Sequence, residues 1–197
     1  MRRFLANALA AIGLGFLVVP AAHVATGIEA QSASPESGFH RSRPRAAVEG
    51  QAWGRIAVPR VGIDLVVYEG VADATLRKGP GHVIDSAAPG SPSGNCVISG
   101  HRDSFFRRLE DIREGDLVFV RGLDGRATIY RLASKSVVLP ENVSVLRPSA
   151  DRRLTLITCF PFHWVGPAPY RLVWTGVAVS RRTPPTSSAA EVAAAPR

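Results

Sequence analysis

Cysteine is scarce in this sequence: only Cys96 and Cys159 occur among 197 residues. Neither sits in a CxxC pair, and the five histidines form no zinc-spaced cluster, so no structural metal and no cofactor are expected. One bridge is the most the pair could form, which rules out a disulfide scaffold. Lysine is scarcer relative to its usual abundance, present only as Lys78 and Lys135. The other cations are arginines, scattered or paired as in Arg2-Arg3 and Arg181-Arg182. The net charge of +8 therefore has no concentrated footprint. No stretch interleaves bases with aromatics as single-strand binders do, so no nucleic-acid partner is expected. A basic surface facing anionic lipid or an anionic envelope is the milder reading. Internal repeats are absent. Hydrophobic content of 46% with 20% charged residues describes a chain able to build a core, not a disordered one.

What the sequence does have begins at the N-terminus. Phe4 to Ala22 carries no charge, close to the roughly 20 residues that cross a bilayer. Arg2 and Arg3 precede it, which places the N-terminus in the cytoplasm and the rest outside. An uncleaved signal anchor is favoured over a cleavable signal peptide, because the apolar run is long for the latter. A buried core helix would need a polar face, and none exists. Either surviving reading exports the domain across the cytoplasmic (inner) membrane. Gln31 to Gly50 is rich in Ser, Pro, Arg and Gly without apolar periodicity and reads as a linker. The organisation expected is an anchor over 1–26, a linker over 27–52, a folded domain over 53–179 and a tail over 180–197.

Inside the domain the signals are mostly strands. "GRIAVPRVGIDLVVYEG" holds two β-branched runs around Pro59-Arg60, and "GNCVISG" is a short buried strand between glycines. "DLVFVRG", "ATIYRLASKSVVL", "LTLITCF" and "RLVWTGVAVS" follow, separated by turn signals. Helical signals are confined to Asp73–Leu76, Ser104–Leu109 and one turn within Glu141–Leu146. Many short strands imply an all-β sandwich or barrel.

Three residues stand out as chemistry. Cys159 ends the "LTLIT" run, where a side chain can leave the core and face a cleft; its bland alternative is a buried packing thiol. A nucleophilic cysteine needs a thiolate or a base to make one, and a donor for the oxyanion. His101, in "VISGHRDSFF", follows another short β run and is the candidate acid/base, with His82 and His163 as rivals. His23 and His40 lie in the membrane-proximal region and are not candidates. Arg171 lies twelve residues after Cys159 at the start of "RLVWTG". If the two strands are antiparallel neighbours, Cys159 at the end of one meets Arg171 at the start of the next. A guanidinium there could donate to an oxyanion or a substrate carbonyl.

Taken together, "GRIAVPRVGIDLVVYEG", the stretch from "GPGHVID" through "GHRDSFFRRLEDIREGDLVFV", and "LTLITCFPFHWVGPAPYRLVWTG" resemble the sortases, membrane-anchored cysteine transpeptidases, over roughly residues 54–179. The "GHRDSFFRRLEDIREGD" form is most similar to class D-like sortases, including those of proteobacteria. The resemblance implies a closed eight-stranded β-barrel with short helices. It implies Cys159 as nucleophile, His101 as general acid and base, and Arg171 as oxyanion stabiliser or substrate-positioning group, with Thr158 as a possible helper. It also implies partners: an exported protein bearing an LPxTG-like sorting signal, an amine acceptor from a cell-wall precursor or protein, and membrane lipid around the N-terminal helix. The short Phe160–Tyr170 loop departs from better-known classes, so their substrate preference does not carry over.

Cys96 precedes His101 by five residues. On strands running parallel it would lie at the far end from Cys159, beyond disulfide reach, as a buried free thiol. Glu110, Asp111, Glu114 and Asp116 read as a solvated face, not a metal site. The rival functions are a cysteine hydrolase using the same residues, and a non-catalytic envelope-binding β-domain. An L,D-type transpeptidase would place its His and Cys close together in a Ser-His-Gly-Cys context, whereas here they are 58 residues apart.

Overall fold

The computed structural model describes residues 48–179. The expected anchor, most of the linker, and the tail lie outside them. Among the described residues no helix is long and apolar enough to cross a membrane. Eight strands form the domain: β1 (Ala52–Val58), β2 (Ile63–Glu69), β3 (Gly81–His82), β4 (Gly94–Gly100), β5 (Leu117–Gly122), β6 (Ala127–Val138), β7 (Arg152–Phe160) and β8 (Tyr170–Ala178). They close into one barrel in the order β1-β2-β3-β4-β7-β8-β6-β5. The expected closed all-β barrel is therefore present. Every long strand lies where its apolar run predicts. The two-residue β3 was not anticipated, because it is too short to carry a period.

The helical signals resolve into one short helix, α1 (Asp73–Leu76), and 3-10 turns at Pro59–Val61, Arg107–Glu110 and Val143–Leu146. The folded unit begins before Trp53. Gly50 N–H donates to Glu69 O at 2.7 Å, and Glu69 N–H donates to Gln51 O at 2.8 Å. Composition assigned these residues to the linker because backbone pairing leaves no trace in residue type.

Alternation along each strand builds the interior. In β5, Val118 and Val120 are buried while their neighbours face out. Ile56, Val67, Ile98, Leu132, Leu154, Leu156 and Leu172 converge with Phe106 and Leu109 in one core. Most pairs are antiparallel, but β4 and β7 run parallel, with Cys96 opposite Leu154 and Gly100 opposite Thr158. Both are buried on both faces over much of their length, the pattern expected of a covered parallel pair. The cover is the β6–β7 connection, residues 139–151. Asn95, on the outer face of β4, donates through Nδ2 to Val145 O at 3.0 Å and Arg147 O at 3.2 Å. Its Oδ1 accepts from Thr155 Oγ1 at 2.7 Å. A buried amide is thereby satisfied on both sides, and the connection is held against the barrel wall.

The acidic stretch is not uniformly a solvated face. Asp116 is clamped by Arg60, whose Nε and Nη2 reach its two carboxylate oxygens at 2.6 and 2.7 Å. Arg113 N–H donates to it at 2.7 Å. Its side chain is only 9% exposed. The pair ties the β1–β2 turn to the entry of β5, a long-range contact that charge pattern alone does not reveal. The Arg60 hydrogen bond holds the Asp116 carboxyl below the usual carboxylate range, with the Arg113 N–H adding to it against the opposing effect of burial. A depressed folded-state pKa stabilises the fold above the unfolded value and loses that contribution as pH falls through the folded one. Asp116→Asn is accordingly expected to lower Tm by a few degrees at neutral pH, with the gap to the parent closing as pH drops below about 4. Thermal melts of both proteins between neutral and strongly acidic pH check this.

Candidate active site

Cys159 and Arg171 are cross-strand partners on β7 and β8. Alternation places Cys159 on the outer side of the barrel wall, because Thr158 before it is buried inward. The expected antiparallel meeting of the two residues is what the register provides. His101 follows Gly100, the last residue of β4, and Cys159 follows Thr158, the rung partner of Gly100. Both therefore step one residue past the same parallel rung, where neighbouring strands are about 4.8 Å apart. A separation of 58 residues in sequence becomes adjacency at one rim of the barrel.

The backbone beneath His101 is held firmly. Thr158 Oγ1 donates to Gly100 O at 2.8 Å, and Phe106 N–H donates to His101 O at 3.0 Å. Phe106 is fully buried. A Cβ on Gly100 would meet its ring at 2.8 Å, so only glycine admits this approach. The resemblance implies Thr158 as a helper for substrate or oxyanion; in the structure its hydroxyl has a different partner. Its hydroxyl points into the wall and is taken by Gly100, which gives it a structural part beneath the site.

Arg171 lines an outer groove together with Ser99, Leu139, Val143, Leu146 and Ile157. Its Nη1 donates to Ala168 O at 3.2 Å and Tyr170 O at 2.9 Å. Among the described residues, Nη2 and Nε make no protein hydrogen bond, and these donors remain for a ligand. One wall of the groove is the connection pinned by Asn95. Its apolar residues are unusually exposed, Leu139 at 59% and Val143 at 66%. This wall escaped the sequence reading; its one signal was the set of apolar residues in a Pro-containing connection, where turn residues would be usual.

The rival histidines occupy other places. His82 is buried, stacked on Trp53 with ring centroids 3.9 Å apart. Its Nδ1 lies 2.8 Å from Glu69 Oε1 and its Nε2 lies 2.8 Å from Ser86 Oγ. Both ring nitrogens have protein partners, so the ring belongs to the wall. His163 sits in the β7–β8 loop, residues 161–169, with its side chain largely exposed. Its ring contacts Glu110 Oε1 at 3.1 Å and Arg107 Nη2 at 3.1 Å. It is engaged on the outside of the loop.

The two cysteines have separate surroundings. Cys96 is buried at the far end of β4 from the rim, and both thiols are free. Burial pushes the Cys96 thiol up to about 12, and the nearby Glu69 carboxylate adds to the effect. A thiol so disposed is unreactive.

A family model for the sortase domain matches residues 56–179. The chain belongs to the sortase family. Sortase D of Bacillus subtilis (strain 168) is 35% identical over 132 residues, a stretch covering 66% of this chain and 66% of that protein. Sortase A of Listeria monocytogenes serovar 1/2a is 31% identical over 110 residues, covering 54% and 48% respectively. The chain thus spans about half to two thirds of the length of these curated relatives. Among solved structures, sortase A from Corynebacterium diphtheriae superposes with a TM-score of 0.62 at 30% identity, covering 71% of this chain and 65% of that one. A Clostridium perfringens sortase D5 transpeptidase superposes with a TM-score of 0.66 over 79% of this chain and 99% of that chain. At 20% identity the latter speaks for the fold alone.

Iodoacetamide is expected to modify Cys159 alone in the native sortase at mildly alkaline pH, and both thiols after denaturation. Peptide mapping reads this directly, and native labelling of Cys96 would contradict its place in the core.

Proposed function

We propose that the chain is a cysteine transpeptidase, anchored by its N-terminal apolar segment in the cytoplasmic membrane, with its barrel outside the cytoplasm. The observation that supports this reading is the register that sets Cys159 opposite Arg171 and His101 one residue past the rung beside Cys159, with Arg171 also lining an apolar groove. An extended LPxTG-like segment near the C-terminus of an exported protein is the substrate class this suits. Apolar side chains would lie along the groove, and the scissile carbonyl would reach Cys159.

In the first half-reaction the Cys159 thiolate attacks the carbonyl carbon of the scissile peptide bond. Arg171 donates to the oxygen, which becomes an oxyanion in the tetrahedral intermediate. As the C–N bond breaks, His101 in its imidazolium form gives its proton to the leaving amine. A thioacyl enzyme remains. In the second half-reaction an amine attacks the thioacyl carbon, neutral His101 takes a proton from it, and the Cys159 thiolate departs. Product and the starting charge state of the enzyme are restored. Water in place of the amine would make the same site a hydrolase.

The test is mass spectrometry of intact protein incubated with a library of LPxTG-like peptides. A covalent adduct on Cys159, discharged faster by an added amine, is expected; discharge at the same rate with hydrolysed product alone would favour the hydrolase. Cys159→Ala should abolish turnover, and His101→Ala should lower it by about 10²–10⁴-fold. Arg171→Ala should cost about 10²–10³-fold. Because acylation needs a thiolate and an imidazolium together, kcat/KM should follow a bell-shaped pH profile. A rate flat from about pH 5 to about pH 10, a range that contains the ordinary imidazole and thiol titrations at about 6.5 and 8.5, would remove this pair.

A further inference from the structure

We propose that Arg102 is a positioning residue, which keeps His101 in register with Cys159 and Arg171 by clasping the β7–β8 loop. For its effect on turnover the inference rests on the transpeptidase reading above; the contact itself is independent of that reading. Arg102 immediately follows His101. Its Nη2 donates to Trp164 O at 2.9 Å and to Gly166 O at 3.0 Å, bridging 62 and 64 residues of sequence.

The clasped loop is the segment that joins Cys159 to Arg171. Residues 163–167 are all exposed, so packing does little to hold them. Their shape is set by hydrogen bonds. Gly166 takes a positive φ of 88°, and Trp164 Nε1–H donates to Pro167 O at 3.0 Å. The carbonyls of Trp164 and Gly166 thereby converge on one point, where two carbonyl dipoles repel unless a donor lies between them. The Arg102 guanidinium is that donor, and its charge strengthens both bonds.

Farther along the loop, Arg171 Nη1 holds the carbonyls of Ala168 and Tyr170. A continuous set of contacts therefore runs from the residue after His101, through the loop, to the guanidinium of Arg171. From behind, Phe106 N–H holds the His101 carbonyl and Thr158 Oγ1 holds that of Gly100 before it. Across the rim, Arg102 provides a direct tie from the His101 segment to the Cys159–Arg171 loop. Released, the loop keeps its exposed His163 contacts to Arg107 and Glu110 but loses the tie next to His101 itself. Misplacement of about 1 Å in such a site can cost about 10²-fold in rate.

The experiment compares the full-length parent in detergent with Arg102→Met, Arg102→Lys and His101→Ala. Methionine keeps an apolar stem and removes the donors; lysine keeps a cationic donor. Two readouts are taken, with thermal melts confirming the fold. The first needs no substrate: the rate of Cys159 alkylation by iodoacetamide as a function of pH. The Arg102→Met profile is expected to depart from the parent towards that of His101→Ala, with Arg102→Lys lying nearer the parent. The second is kcat and KM on a peptide that the parent turns over. Here Arg102→Met should lower kcat by about 10–100-fold with KM within about twofold, and Arg102→Lys should recover much of the loss. An Arg102→Met alkylation profile superimposed on the parent's overturns the proposal. So does a rise in KM at constant kcat, or an unfolded Arg102→Met protein. Should the parent turn over no peptide at all, the transpeptidase reading falls, while the alkylation profiles still decide the part played by Arg102.

Discussion

The site depends on the parallel pairing of β4 with β7. Seven rungs run from Gly94 opposite Arg152 to Gly100 opposite Thr158. Parallel strands need a long crossover, and here the intervening chain supplies β5, β6 and the groove wall before β7 returns. The pairing sets His101 and Cys159 side by side, each one residue past the last rung that the two strands share. Antiparallel pairing of the same segments would have sent the two residues to opposite ends of the wall. The short bond from Thr158 Oγ1 to Gly100 O locks the last rung. The close approach of the buried Phe106 ring to Gly100 fixes the direction in which the chain leaves it.

The same arrangement separates the two thiols. Cys96 lies four residues before the final rung and points into the core, where burial keeps it protonated. Cys159 lies one residue beyond that rung and points outward, within reach of solvent and opposite Arg171. One element type, read in two places, thus yields an inert packing residue and a candidate nucleophile. The histidines divide in a similar way. His82 has both ring nitrogens bound inside the wall, His163 is engaged outside the loop, and His101 stands at the rim.

Much of this was legible beforehand. β1, β2 and β4 to β8 announced themselves through β-branched runs broken by turn residues, and the twelve-residue spacing of Cys159 and Arg171 anticipated their pairing. The missing parts share a cause. β3 is a two-residue backbone pairing, Asp116 is partnered with an arginine 56 residues away, and Thr158 reveals its role only through the direction of its hydroxyl. Arg102 draws no role from its motif, because its partners are backbone carbonyls, which every residue possesses. Hydrogen bonds to the main chain leave little imprint on residue identity.

Residue order and type were enough to establish an all-β domain behind an apolar N-terminal segment, and to single out Cys159, His101 and Arg171. The strands and the apolar segment follow from local pattern, and the three residues from their chemistry together with the family resemblance of the stretches that hold them. The closing order of the barrel, the depth of each cysteine, the groove wall pinned by Asn95 and the clasp of Arg102 came from the folded arrangement alone. Each depends on which distant backbone groups are brought within 3 Å or so of one another, the distance at which a hydrogen bond forms. That is a property of the closed sheet, and no stretch of chain contains it.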